Sequence, residues 1–500
     1  MKLRAGLFTA WLLWSALTLC GKARAGFIEI IGLDPRSSAM GGAATAVADT
    51  PSAWYYNPAG LAQIRGAWQE VGLSQVAFLN LTQRDPETGA ASKDTTPATY
   101  NLHFPGCDTY GLKDITIGLG GGPNFGGLEY FSDKEGDMRY TAYETMTILN
   151  TIAPTIAYRV NRWLMIGCGL EIVALNKATT FAKLGDDYIG AGARDQVLSM
   201  LNVKPERRQE YEHKLIENGL TTRNGRDDGK IEFYTDKEFP TGLQPTNDMD
   251  IDMKHFSYNL GVLLFPAEKL RVGLTYREEL RFYYEGPAAL ILEEDVKSNP
   301  LISSLASVAG TPLQDEYSRW KMDVVMPRQF VLGLAYQATD TLLLAADFQW
   351  TNWASAWDTQ VVTLEGKGIQ GMTSLPVNRK FDDTFSFRIG AEYNLGKGLR
   401  CQAGYWYDPT PVPDSTIDGT TMDADRHVFS CGLGYYGLFK GHLDITSVFQ
   451  YILFEDRLIP KGASENLGGF KKYGTTRNDD FAMEFSGNII NLGIVFGIHY

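Results

Sequence analysis

The sequence predicts an all-β protein: a transmembrane, antiparallel, up-and-down β-barrel of 14 strands with an N-terminal hatch plugging its lumen. Three observations predict it. Many runs alternate apolar and small or polar residues with a period of two, the signature of strands with one greasy face. Short turns alternate with long polar loops along the chain, as in a barrel with one short-turned rim and one long-looped rim. After residue 25 no apolar run is long enough for a membrane-spanning helix, and a sheet spans lipid only by closing on itself.

Residues 1–25 read as an export signal peptide. Lys2 and Arg4 form a basic start, "GLFTAWLLWSALTLC" is the apolar stretch, and "ARA" at 23–25 supplies small residues for cleavage before Gly26. A lipoprotein reading through Cys20 is the alternative, disfavoured because Leu19 is bulky where such sites prefer a small residue. Removing the four cations of this segment takes the formal net charge from −13 to −17. That argues against a nucleic-acid partner, since no basic cluster is left to displace phosphate counterions.

Residues 26–67 break the strand pattern. "SSAMGGAATAVADTPSAWYYNPAGLAQI" is rich in Gly, Ala and Ser, residues that pack closely and let the backbone turn. The cluster Trp54, Tyr55 and Tyr56 argues against disorder, so this segment is expected to fill the lumen as a hatch.

Residues 68–500 form the barrel. The strands fall at approximately 68–80, 97–105, 114–121, 148–158, 163–175, 254–264 and 269–284. The remainder are 322–336, 341–353, 382–394, 398–407, 427–437, 441–453 and 483–500. In "LMIGCGLEI", Leu164, Ile166, Cys168, Leu170 and Ile172 share a face; in "FSFRIGAEY", Phe385, Phe387, Ile389, Ala391 and Tyr393 oppose Ser386, Arg388, Gly390 and Glu392. The glycine-rich polar face suits a crowded or wet interior. In the last strand Ile490, Leu492, Ile494, Phe496 and Ile498 share one face, which is expected to meet lipid. The longest loop, 176–253, carries two short helical patterns separated by Pro205, with Val197 spaced to meet Leu201 and Tyr211 to meet Leu215. Four cysteines remain after the signal. Cys168, Cys401 and Cys431 fall on apolar strand faces as small hydrophobes, and a Cys401–Cys431 bridge is possible but unneeded.

The ordered set of segments resembles the FadL-type outer-membrane transporters of long-chain fatty acids and other hydrophobic compounds. "SAMGGAATAVADTPSAWYYNPAGLA" resembles that family's hatch, with its Asn-Pro-Ala signature at Asn57, Pro58 and Ala59, followed by Gly60. "NFGGLEYF", "APTIAYRVNRWLMIGCGLEIV", "LRVGLTYREELRFYYEG" and "PRQFVLGLAYQATDTLLLAADFQWTNW" follow in order, the third carrying Glu278 where a small polar residue is usual. "LRCQAGYWYDPTPVPD" and "DADRHVFSCGLGY" complete the set, which covers about residue 30 to Tyr500. The resemblance implies an apolar pocket and a third strand that bends inward, opening a gap in the wall through which cargo leaves sideways into the membrane.

Glycine and proline break ladders, and Gly120, Gly121, Gly122, Pro123, Gly126 and Gly127 crowd one span. By resemblance the bend is placed at Gly126 and Gly127, with Phe125 and Leu128 beside it as candidate substrate contacts. A carboxylate substrate needs a cation; Arg271, Arg277, Arg388 and Arg400 are predicted inward, with Arg277 and Arg388 the candidates and Glu279 or Glu392 as alternative structural partners. Asp423, Asp425, Arg426 and His427 read as a solvated loop base, with cation binding as the alternative. No catalytic, metal or cofactor motif is expected: HExxH and GxSxG are absent, and "GLGYYG" at 432–437 lies inside a period-two strand and opens no helix.

The expected function is passive uptake of hydrophobic small molecules, long-chain fatty acids or aromatic hydrocarbons, at a Gram-negative outer membrane. The second reading is a surface receptor or adhesin working through loop 176–253. Outer-membrane lipid, lipopolysaccharide included, and the barrel-assembly machinery, met through the C-terminal strand, are the expected cellular partners.

Overall fold

The computed structural model describes residues 33–84, 86, 91–94, 99–108, 114–125, 129–131, 144–184, 188–218, 220–222, 228–233, 255–308, 313–366, 368, 373–467 and 482–500. Fourteen antiparallel strands follow one another in chain order around a closed barrel. The first five are β1 (Trp68–Arg84), β2 (Ala91–Asp94, Thr99–His103 and Gly106–Asp108), β3 (Ile115–Phe125 and Glu129–Phe131), β4 (Glu144–Arg159) and β5 (Leu164–Leu184). Next come β6 (Phe256–Ala267), β7 (Leu270–Arg277 and Leu280–Leu292), β8 (Glu316–Met326 and Gln329–Gln337) and β9 (Leu342–Thr351 and Thr359–Leu364). The last are β10 (Ser374–Asn378 and Thr384–Gly396), β11 (Leu399–Asp408), β12 (Arg426–Gly437), β13 (Leu443–Ile459) and β14 (Met483–His499). A short strand, Gly229–Phe233, fills the ladder between the upper ends of β5 and β7, above β6. The ring closes where β14 pairs with β1, from Trp68↔His499 up to Arg84↔Glu484. Among the described residues no helix is long and apolar enough to cross a membrane.

The lower barrel obeys the alternation that the sequence shows. Phe385, Phe387 and Ile389 of β10 are exposed on the outer wall while Ser386 and Arg388 are buried inside. Ile490, Leu492, Ile494 and Phe496 of β14 do the same against buried Asn491 and Val495. Cys168 and Cys431 are exposed with this outer band; Cys401, Cys431 and Cys168 are all free thiols.

Higher up, the alternation slips by one residue. In β7, Thr275 and Arg277 point inward, but beyond Glu278 and Glu279 it is Leu280, Phe282 and Tyr284 that are buried, with Arg281 exposed. In β8, Gln329 is buried below the slip and Val324 and Met326 above it. The ladder stays in step across the change, Arg277↔Gln329 below and Leu280↔Met326 above. A one-residue slip in both strands turns their apolar set from the lipid side to the lumen. The upper wall is therefore greasy inside and charged outside, and the strands run longer than the sequence pattern suggests.

The outer helices form where expected: α4 and α5 of this numbering are Tyr188–Met200 and Arg208–Glu217, separated at Pro205. Three shorter helical pieces precede them in the N-terminal segment: α1 (Pro35–Ala39), α2 (Ala53–Tyr56) and the 3-10 turn α3 (Pro58–Gln63).

Candidate functional site

The N-terminal segment, residues 33–64, lies in the lumen and touches the wall on all sides. Asn57 shows how its local chemistry works. Its side-chain oxygen accepts from the Ala59 amide at 3.1 Å and caps α3, whose first residue is Pro58, a proline where the missing N–H is harmless. Its amide nitrogen donates to the Thr45 carbonyl at 2.8 Å and to the Val262 carbonyl of β6 at 3.1 Å. The Asn-Pro-Ala stretch thus ties two turns of the segment to each other and to the wall.

The segment rests on a bed of inward-facing glycines. A Cβ at Gly167 would lie 2.3 Å from the Pro58 carbonyl carbon, one at Gly261 2.2 Å from Asn57 Oδ1, and one at Gly404 2.1 Å from the backbone nitrogen of Gly41. These positions take glycine because backbone lies against backbone.

Charged clamps complete the seating. Arg36 holds Glu392 of β10 through Nε at 2.7 Å and a second nitrogen at 3.0 Å, and it also pairs with Asp49. Asp347 of β9 accepts from the amides of Ala44 and Thr45 at 3.0 and 2.9 Å. Hydrogen bonds to a charged acceptor contribute about 1.5–3 kcal/mol each. We therefore expect Asp347→Ala to expose the 40–50 turn to added protease while heat-modifiable gel mobility reports an intact barrel, and Asp347→Asn to restore part of the protection. Equal cleavage of both variants and the parent would show that the carboxylate does not hold the turn.

Arg277 is buried, but its partner differs from the two acids expected. It donates to Glu171 of β5 at 2.8 Å, to Gln329 of β8 at 3.0 Å and to the Tyr55 carbonyl at 3.0 Å, and it lies 4.4 Å above the Tyr55 ring. Glu279 instead serves Arg281 and Arg328, and Glu392 serves Arg36, Arg400 and Gln402. Arg388 is buried with its guanidinium 4.1 Å from the Trp406 ring centre. Both arginines line a narrow cleft with Tyr55, Tyr56 and Pro58 of the segment and Asn259 of β6. Burial pushes the Tyr56 phenol well above its usual range, so it stays neutral there.

Above the cleft lies an apolar cluster of buried side chains, some of them brought inward by the slip. Phe282, Tyr284, Trp320, Trp353, Trp357 and Trp406 belong to it. Among the described residues the Tyr284 hydroxyl, buried there, has no hydrogen-bond partner. The resemblance implies an apolar pocket without placing it; the tryptophans of "WTNWASAW" at 350–357 are the signal that could have marked this cluster.

The wall is thin between β2 and β3. Among the described residues their ladder consists of Gly106↔Leu119, Cys107↔Gly118 and Asp108↔Ile117. Above it Thr99–His103 stays paired with β1, and Gly120–Phe125 with β4. Gly120 faces Trp54, whose ring atoms lie 2.2 Å from where a Cβ would stand, and Trp54 packs with Leu33 and Ala153. Gly121 and Gly122 follow, Gly122 with a φ of 150°, and the register shifts between Pro123 and Phe125, which stands opposite Leu149. The expected bend residues Gly126 and Gly127, and the expected contact Leu128, lie outside the described residues. The structure thus brings Arg277, Arg388, Tyr55, Tyr56 and Pro58 to one cleft, and sets Trp54 with Gly120 beside the thin wall.

The cluster expected to be a solvated loop base is instead packed. Asp423 and Arg426 are fully buried; Asp423 accepts from the Thr410 hydroxyl at 2.6 Å and Arg426 pairs with Asp408. Burial pushes the Asp423 carboxyl up. Asp425 takes Tyr407 at 2.6 Å, and His427 contacts Tyr405 at 2.7 Å and Glu455 at 2.8 Å. "GLGYYG" lies in β12, as its period demands.

A lipid-banded barrel with its own chain seated in the lumen and a buried apolar cluster above defines a class, the outer-membrane transport barrels. Residues 28–476 match the family described as outer membrane protein transport protein (OMPP1/FadL/TodX), and the chain belongs to it. It is 24% identical over 200 residues to a long-chain fatty acid transport protein of Escherichia coli O6:H1, covering 39% of this chain and 42% of that one. Outer membrane protein P1 of Haemophilus influenzae is 22% identical over 197 residues, covering 39% and 38%. The chain thus spans about two fifths of the length of these curated relatives. Among solved structures it resembles a Pseudomonas aeruginosa FadL homologue, with a TM-score of 0.66, 17% identity and 95% and 98% of the two chains covered. The toluene transporter TodX of Pseudomonas putida gives 0.62, 16%, 94% and 99%. The shared feature is the fold, and the protein is an outer-membrane β-barrel.

Proposed function

We propose that this barrel carries hydrophobic small molecules, long-chain fatty acids or aromatic hydrocarbons, passively into the outer membrane. The buried apolar cluster above the seated N-terminal segment supports this reading, and we take it as the lining of a cargo chamber. A water-filled pore has a polar lumen, whereas burying a chain stabilises it by about 0.8 kcal/mol per methylene. The names of the relatives, a long-chain fatty acid transport protein and a toluene transporter, fit such a chamber. Residues 26–67 act as the hatch that closes the lumen, with Trp54 to Gly60 as its seated face. Cargo enters the chamber among the outer loops and leaves sideways between β2 and β3, where among the described residues three residue pairs join the wall. Arg388 is the cation we assign to a carboxylate headgroup, because it lies between the polar cleft and Trp406 of the chamber. Arg277, already clamped to Glu171, holds the cleft in shape. The outer band meets lipid and lipopolysaccharide, and β14 is the strand offered to the assembly machinery.

The test is uptake of labelled oleate and of labelled toluene by cells lacking their own receptor. The expected result is faster entry of one cargo with the chain present, falling to the empty-vector rate when Gly121 and Gly122 are removed. Deleting two residues keeps the in–out alternation of β3 while shortening it at the thin wall. Unchanged entry in that deletion would rule out sideways release. No faster entry of either cargo, with the barrel folded in the membrane, would favour a receptor working through the loop that carries α4 and α5.

A further inference from the structure

Three residues distant in sequence meet at the lower end of the lumen: Asp34, which caps α1, Glu70 of β1 and His103 of β2. All three are buried, and their donor atoms lie within 4.8 Å of one another. His103 Nε2 is 3.0 Å from Glu70 Oε2, and the Ser52 hydroxyl sits between them, 2.9 Å from the carboxylate and 3.2 Å from the imidazole. Among the described residues, His103 is the only group of basic type at ion-pair distance from Glu70, and none stands at that distance from Asp34. Two buried carboxylates and one imidazole leave the site short of positive charge, and burying carboxylates without compensation is strongly unfavourable.

We propose that this cluster is a site for a first-row divalent transition cation, zinc foremost, held by Asp34, Glu70 and His103 Nε2 with the Ser52 hydroxyl or a water as fourth ligand. A mixed nitrogen and carboxylate set of three plus one open position is the donor chemistry that zinc takes. Ligands about 2.0–2.2 Å from zinc stand roughly 3.4 Å apart in a tetrahedron, a spacing that Glu70, His103 and Ser52 already approach. A divalent charge would neutralise the two carboxylates. Asp34 and Ser52 belong to the lumenal segment whereas Glu70 and His103 belong to the wall, so the site is complete only when the segment is seated. The bound cation would therefore staple the segment to β1 and β2. His103 lies three residues before Gly106, where the ladder to β3 begins, so the staple stands beside the thin wall. The assignment does not depend on which cargo the barrel carries, because metal content is read directly.

The experiment uses the full barrel extracted from the outer membrane, stripped with chelator, refolded with or without zinc chloride, and dialysed. Elemental analysis is expected to give one zinc per chain, with affinity falling at least about tenfold in His103→Ala and in Asp34→Asn. Zinc X-ray absorption is expected to show one imidazole among oxygen donors, and amide exchange over residues 34–37 to slow when zinc is present. Heat-modifiable mobility establishes that each variant is folded. Zinc retained equally by the parent and both folded variants would place the metal elsewhere and overturn the proposal. So would a parent barrel that holds none, or binding that leaves amide exchange in the segment unchanged.

Discussion

Gly404→Val is expected to unseat the N-terminal segment while leaving the barrel closed. A Cβ at Gly404 would stand 2.1 Å from both the nitrogen of Gly41 and the carbonyl carbon of Met40. Those are backbone atoms, so no rotamer change relieves the clash. The neighbouring strand offers no room either: Gly390, paired with Gly404, would set a Cβ 2.3 Å from the Met40 carbonyl oxygen. Overpacking a tight interior costs about 1–3 kcal/mol when side chains can adjust, and here the lodged turn has to lift away. β11 keeps its ladders to β10 and β12, which do not involve the side chain. The expected readings are heat-modifiable mobility like the parent, rapid protease cleavage within 36–50, and faster entry of small hydrophilic solutes into cells. Gly192→Val is the control, since a Cβ there meets nothing within 4 Å. A Gly404→Val barrel as resistant and as tight as the parent would mean that the segment does not lie on this glycine bed in the membrane.

Much of this architecture is legible in the sequence, and the exceptions have physical causes. Period two in the lower strands is legible because lipid demands one continuous apolar face. The apolar cluster of the upper lumen is not, because the alternation slips at Glu278–Glu279 and at Pro327–Arg328 together, so no single run shows an inverted face. Asn57, Pro58 and Ala59 stand out through resemblance; their reason, a cap and a close approach to Gly167 and Gly261, needs three dimensions. The inward arginines are legible from alternation, but their partners are not. Arg277 reaches Glu171 across β6, two strands away, a pairing fixed by shear around the barrel and by no local spacing. Asp423 and Arg426 read as solvent-exposed because loops usually are; instead Thr410 and Arg457 of β13 pack on Asp423, and Arg426 pairs with Asp408. The meeting of Asp34, Glu70 and His103 depends wholly on how the segment lies against the wall.

The same dependence makes Arg36 the second position of large expected effect. Its guanidinium grips both oxygens of Glu392, at 2.7 and 3.0 Å, across 356 residues of chain, and both side chains are buried. Glu392 keeps Gln402 at 2.9 Å and Arg400 at 3.1 Å whatever happens to the segment. Asp49, which Arg36 also holds, has Arg271 at 3.9 Å as its other basic neighbour. Arg36→Met therefore spares the wall's own pairs and removes the clamp from the segment alone. Removing one partner of a buried pair costs about 3–5 kcal/mol, so the unseated population should rise about two to four orders of magnitude if seating is the local equilibrium affected. Amide exchange over 36–50 should quicken accordingly, with the melting of the barrel strands unchanged. Glu392→Gln is the informative companion. It keeps shape and one acceptor but removes the charge that faces Arg36, Arg400 and Gln402 together, so it should loosen the segment and also the β10–β11 ladder beside it. If Arg36→Met exchanges no faster than the parent, the glycine bed and Asp347 suffice to seat the segment, and the ion pair orients it without holding it.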